Sequence, residues 1–390
     1  MLARTLKKGG VILKKVFYVL LVIFLFSSSC SLAEDELDNS EVSYLYARGK
    51  VIDVLSDLQS INESTTGELN IDHQVVKIKV TNGKYKNEEF IIENYVSGNL
   101  AYDIIVKKGD SVILSIEDEN DVPQIAIADF ARDKYSAILL FIFAGLLILV
   151  GKTKGIKSVV SLTITGIVVM SFMLPLILKG FNPIWVAILS AIMITSVTFI
   201  IIAGINIKSF SAIIGTVGGV ISAGLLAYII GTLANLTGLS SEETSMLMFI
   251  PQQINFNFKG LLFAGIIIGT LGAVMDIGMS IASAMYELKT LNPDIPPSKL
   301  IASGLNIGRD VMGTMSNTLI LAYTGSSIPL LLLFMAYRTP LIGVLNLDMI
   351  ATEIVRALSG SIGLIVAIPI TALSTGLILK YEHLLPKFKK

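Results

Sequence analysis

Long uninterrupted apolar runs dominate the chain from Tyr135 onward. They lie at Tyr135 to Val150, Ser158 to Leu178, Ile184 to Ile205, Phe210 to Leu236, Gly260 to Met285, Ser316 to Ala336 and Ala357 to Leu379. Each approaches the roughly 20 residues that a helix needs to cross hydrocarbon, the first being short, so the pattern predicts seven spans. Between Glu34 and Lys134 the pattern changes to alternation. Val75-Val76-Lys77-Ile78-Lys79-Val80 leads into Asn82-Gly83, Phe90-Ile91-Ile92 follows, and Lys107-Lys108-Gly109-Asp110 separates Ile104-Ile105-Val106 from Val112-Ile113-Leu114. Asn-Gly between alternating segments signals a hairpin. Five or six short strands in this space predict a small barrel of the OB kind or a compact sandwich. The expected fold class is therefore an all-α membrane bundle of about seven helices carrying an N-terminal β-barrel-like module outside the cytoplasm.

The first residues have a third pattern. Arg4, Lys7, Lys8, Lys14 and Lys15 precede the apolar stretch Val16 to Phe26, and Ser31-Leu32-Ala33 closes it. This is the layout of a secretory signal, with cleavage after Ala33, the alternative being an uncleaved first anchor. Cys30 raises lipidation, but Ser27-Ser28-Ser29 stand where a lipobox wants a branched apolar residue. The expected domains are residues 1–33 signal, 34–134 β module, 135–380 transmembrane domain and 381–390 basic cytoplasmic tail. Lys152, Lys154 and Lys157 follow the first span, Lys208 the third, Lys289, Lys299 and Arg309 the fifth, and Lys380, Lys387, Lys389 and Lys390 the last. The positive-inside rule makes these loops cytoplasmic and puts the β module outside, in agreement with the signal. Arg338 runs against this count. The segment from Thr339 to Arg356, with Asp348 and Glu353, reads as an interfacial or re-entrant piece.

Composition agrees with the pattern: 53% of residues are hydrophobic and 15% charged, with a mean hydropathy of +0.75. A globular domain has charged residues at about a quarter of its positions. Thirty basic and thirty acidic residues balance, so no net charge draws the chain to nucleic acid, and the module lacks the interleaved aromatic and basic residues of an oligonucleotide surface. A single cysteine and two distant histidines, His73 and His383, rule out an internal disulfide and a thiolate or histidine metal cluster. No metal site and no cofactor is expected. No P-loop, nucleophile elbow or metalloprotease helix is present, so any energy coupling comes from an ion gradient and enzymatic activity is not expected.

Asp276 is the residue that asks for an explanation. It lies inside the fifth apolar run, where a carboxylate costs roughly 2.5 kcal/mol or more. Candidate partners are Ser222, Thr216, Asn317 and Thr314, and Ser280 on the same span. Either they form an ion or substrate path with Asp276, or a hydrogen-bonded carboxyl locks two helices. Gly215-Thr216-Val217-Gly218-Gly219-Val220 in span four resembles Gly269-Thr270-Leu271-Gly272-Ala273-Val274 in span five. The match is an inverted repeat of the transporter kind, or else the small-residue spacing of close helix packing, as in Gly215-x-x-x-Gly219 and Gly265-x-x-x-Gly269. Arg309 and Asp310 beside Gly304, Gly308 and Gly313 predict a broken or re-entrant entry to the sixth span, with Thr314 beyond, or an interfacial anchor and cap. Residues 251–257, with Met246, Met248 and Phe249, read as an interfacial connection between spans four and five.

The run Lys259 to Asp276, then Ser280-Ile281-Ala282-Ser283-Ala284, then Gly308-Arg309-Asp310 through Asn317-Thr318-Leu319, resembles the YibE/F family of bacterial multi-pass membrane proteins. The resemblance covers Tyr135 to Leu379 and extends to the module. It implies a bacterial envelope protein and leaves its biochemical role open. The reading carried forward is an ion-coupled transporter or permease component; the alternative is a non-transporting envelope scaffold whose outer module binds a partner protein. Beyond the lipid bilayer, a paralogous subunit or a second copy is the expected partner.

Overall fold

The structure, a computed structural model, describes residues 44–56, 72–97, 99, 103–119, 122–250 and 256–381. The signal segment, Cys30, the connection at 251–255 and the tail from 382 lie outside them. The chain divides into two compact units, Ala33–Leu146 and, in its C-terminal part, Leu147–Lys390.

The first unit holds β1 (Tyr44–Ser56), β2 (Asp72–Val80), β3 (Glu89–Val96), β4 (Ser111–Glu119) and β5 (Val122–Phe130), in one antiparallel sheet of order β3-β2-β1-β4-β5. The edge strands β3 and β5 come into contact, so the sheet curls into a half-barrel and not a sandwich. Alternation explains the register: Val76, Ile78 and Val80 of β2 and Val112, Leu114 and Ile116 of β4 point into one core, while Lys77 and Lys79 point out. Gly49 permits the curl, as glycine does where backbone and side chains crowd a strand. A Cβ there would stand 2.7 Å from Ile78 and 2.8 Å from Leu114, on the two strands that flank it.

The predicted hairpin at Asn82-Gly83 forms, with Gly83 at φ +83°. Ile104–Val106, expected as a strand, is extended but joins no ladder. Side chains replace the ladder: the buried Gln74 amide accepts from Val106 N at 3.0 Å and donates to Val106 O at 3.2 Å, and Asn94 donates to Ile104 O at 2.7 Å. The buried backbone is thus satisfied without a sixth strand.

Helices follow: α1 (Asp133–Gly151), α2 (Thr153–Val168) continuing through a π turn at Val169–Met173 into α3 (Leu174–Leu178), α4 (Pro183–Ala203), α5 (Ile207–Leu233), α6 (Glu242–Met246), α7 (Phe258–Leu291), α8 (Pro297–Ser326), α9 (Ile328–Ala336), α10 (Leu341–Leu345) and α11 (Asp348–Lys380). Among the described residues six helical stretches are long and apolar enough to cross a membrane, and α8 with α9, bent by 59°, adds a seventh only when the pair is counted as one. Asparagine opens three of them, satisfying amides that a helix start leaves unpaired. Asn182, Asn206 and Asn257 accept from Ile184 N, Ser209 N and Gly260 N at 3.0 Å, 3.0 Å and 2.8 Å.

The second unit is built around α5 and α11, which run antiparallel in backbone contact. A Cβ on Gly219 would stand 2.7 Å from the carbonyl oxygen of Gly363, and a Cβ on Gly363 would stand 2.7 Å from that of Gly219. Gly215 lies as tightly against Thr371. Small residues at these positions let the two backbones approach closely. The tight partner of Gly215 is thus α11, while Gly219 is wedged between α11 and Val274 of span five, 2.9 Å from its Cβ position. The rest of the α5–α7 contact uses other glycines: Gly224 against Ile267, Gly231 against Phe263 and Gly278 against Thr216. Helix α8 packs through Gly304 and Gly308, against Met285 of α7 and Ile368 of α11.

Two sequence expectations change. No break interrupts Gly304–Thr318; α8 is continuous from Pro297, and the break comes at Ser327. Arg309 therefore sits inside a helix and not in a loop. The glycines around it fit under neighbouring helices, which a pattern of apolar residues does not register. Likewise the last span begins earlier than Ala357: α10 occupies part of Thr339 to Arg356, and from Asp348 that segment forms the first turns of α11.

Candidate functional site

Asp276 lies midway along α7, and four residues of that helix share its face. Gly265, Gly269, Gly272, Asp276 and Ser280 recur at spacings of four, three, four and four. All five are exposed in this chain, whereas Ile277 and Gly278 on the opposite face are buried. A Cβ on Gly265 or Gly272 would meet nothing within 4 Å, and one on Gly269 would meet only the Tyr323 hydroxyl, at 3.0 Å. These three glycines thus form an open groove in the helix surface. Among the described residues only Tyr323 of α8 reaches this face, at Gly269.

The expected partners of Asp276 are dispersed. Thr216 is fully buried and touches α7 at Gly278, two residues on and on the far side. Ser222 donates to Gly218 O of its own helix at 2.8 Å, and Thr314 donates to Val311 O at 2.9 Å. Ser280 alone shares the Asp276 face. Asn317, Arg309 and Asp310 are exposed on α8, with Arg309 donating to Asn306 Oδ1 at 3.0 Å. Among the described residues Asp276 makes no hydrogen bond or ion pair.

One end of the α7 groove opens on a site that the apolar pattern concealed. A cavity of about 360 Å3 lies among the α5–α6 connection, the start of α7, the α8–α9 bend and the start of α11, lined by Gly238, Ser241, Thr244, Gly265, Ser326, Ser327, Glu353 and Arg356. Arg356 and Glu353 pair at 3.1 Å, one turn apart on α11, each with about a third or less of its side chain exposed. Glu353 Oε2 and Arg356 Nε are buried and have no hydrogen-bond partner among the described residues. Nearby, Thr237 donates to Asp348 Oδ2 at 2.6 Å and ties the end of α5 to the start of α11. The pair is only partly buried, but these two buried atoms carry an unmet desolvation cost, so they are suited to a polar occupant. The sequence signal was the i, i+3 spacing of Glu353 and Arg356, which points to a shared face only once the segment is known to be helical. Among the described residues no group of three or more His, Cys, Asp or Glu is placed to hold a metal ion.

No curated protein and no solved structure matches the chain. Two family models do: the YibE/F-like protein model over residues 139–381, which contains the α7 groove, the α8 flank and the cavity, and the YibE/F family N-terminal domain model over residues 43–130, which is the half-barrel. Together they account for both units, and the chain belongs to the YibE/F family.

Proposed function

We propose that this protein is an ion-coupled membrane transporter of small polar solutes, with the Glu353–Arg356 cavity as the solute entry and Asp276 as the coupling carboxyl. The observation that carries the reading is the single face of α7 that joins the two. Gly265 lines the cavity, and Gly269 and Gly272 continue as an open groove. Asp276 follows about 16 Å from Gly265 along the helix axis. Glycine exposes backbone carbonyls, and a carboxylate at mid-span binds and releases a cation or a proton; together they supply the polar lining that hydrocarbon lacks. The helix bend of 59° falls at Ser327, on the cavity wall. Breaks of this kind are what transporters use at their sites. The basic residues after α1, α4, α7 and α11 support a cytoplasmic C-terminus, an extracytoplasmic β module and a cavity facing outward.

The test is flux in proteoliposomes. Across a panel of cations and small polar metabolites, with a pH-sensitive dye inside, the native chain is expected to move at least one solute under an imposed ion gradient. Asp276→Asn should abolish the gradient dependence, and Glu353→Gln should raise the solute concentration needed for half-maximal flux. Full gradient-driven flux in Asp276→Asn would overturn the reading. A cell phenotype lost on deleting residues 34–134 but kept in Asp276→Asn would instead support an envelope scaffold.

A further inference from the structure

We infer that the open face of α7 and α8 is the docking surface for a second copy of this chain, which covers Asp276 and contributes polar groups to its site. The inference stands apart from transport, because its readout is assembly and not flux.

Helix α8 has its own uncovered polar flank. Asn306, Asp310, Gly313, Thr314 and Asn317 are all exposed and lie along one side of the helix. Depth links this flank to the α7 groove. The two helices run antiparallel, with Gly269 at Tyr323, Ile281 at Gly308 and Met285 at Gly304, so Asp276 lies at the level of Gly313–Ser316. One chain therefore presents to its surroundings, at one depth within its spans, a carboxylate, an amide and a hydroxyl. Lipid hydrogen-bonds none of them. Gly265, Gly269 and Gly272 let a foreign helix approach α7 closely, as small residues do at helix interfaces in membranes.

Chemical complementarity selects the occupant. The chain's own first span has no polar side chain from Ala137 to Val150, and the stretch from Val16 to Phe26 offers only Tyr18. Neither answers a carboxylate. A second copy does, because a two-fold axis along the membrane normal preserves depth. The Asp276 carboxylate of one subunit then meets the Asn317 amide of the other, a donor, and the contact is made twice. Arg309 and Asp310, adjacent in sequence and therefore in depth, pair across the same axis. The groove becomes a closed polar passage only when the dimer forms.

The experiment starts from the full chain with Cys30→Ser, which removes its one thiol. Gly272→Cys, placed where no side chain lies within 4 Å of the new Cβ, and Ile320→Cys, exposed on α8 at the same depth, are carried on two differently tagged copies and oxidised in native membranes. Asn317→Cys serves as a second α8 position, and Leu373→Cys, exposed on α11, is the control. A disulfide joining the two tags from the α7 and α8 positions but not from Leu373→Cys is expected, along with a particle of twice the 42.0 kDa chain mass in nanodiscs. Gly272→Trp should shift that particle to the single-chain mass while leaving the thermal unfolding temperature close to that of the native chain. Single-chain mass for the native protein with no inter-copy disulfide at any of the three positions would overturn the inference. So would a Gly272→Cys disulfide formed only with a cysteine placed at 137–150 of the same chain, which would make the first span the cover.

Discussion

Glycine shows at the residue scale how one residue type serves opposite ends. Gly219 and Gly272 read alike in sequence, each in a small-residue motif of a span. The first is sealed against a backbone carbonyl of α11 and the second opens on empty space. Gly219→Val is therefore expected to force α5 and α11 apart at a cost of about 1–3 kcal/mol, while Gly272→Ala should stay within about 0.5 kcal/mol of native; thermal unfolding of the purified chain in detergent separates the two. At the end of the half-barrel, Asp129 accepts from the Phe130 amide at 2.7 Å and from Arg132 at 2.6 Å, which holds its carboxyl below the usual aspartate range. A depressed carboxylate contributes stability above its unfolded pKa and loses it as pH falls through the folded value. The native chain should thus lose this contribution only in acid, below the ordinary aspartate range, and Asp129→Asn should flatten that part of the stability–pH curve. The group is solvent-exposed, so the effect is small.

Among elements, the half-barrel depends on a side chain acting as a strand. Gln74 is 1% exposed and carries both hydrogen bonds that a sixth strand would give Val106. Gln74→Leu leaves a buried N–H and C=O unpaired, which costs about 1–3 kcal/mol. The β module should lose its cooperative circular-dichroism transition at a lower temperature, while the helical signal of the spans is unmoved. The long helix α8 makes the complementary point. Its polar, glycine-rich sequence resembled a broken entry because a pattern reading weighs apolar positions, whereas Gly304 and Gly308 serve by fitting beneath Met285 and Ile368. The bend falls instead where Ser327 precedes Ile328-Pro329, and proline cannot donate the amide that would continue the ladder.

Over the whole molecule, the proposed topology sets the β module and the C-terminal tail on opposite faces of a membrane. Cysteine-accessibility labelling in intact cells should reach a thiol at Lys84→Cys, in the β2–β3 connection, and fail to reach one at Lys387→Cys until the membrane is opened; labelling of both or of neither would refute that topology. Apolar run length and strand alternation were sufficient to find the apolar helices, though not the bend at Ser327 inside the sixth run, and the strand-rich module. These are properties of each segment against its solvent, and every residue contributes to them independently. Which face of α7 is open, that Gly215 and Gly219 serve α11, and that Glu353 with Arg356 meets Ser326 across a cavity were decided only by tertiary structure. They depend on which helix lies beside which, and a packing contact between residues a hundred positions apart leaves no period in the chain.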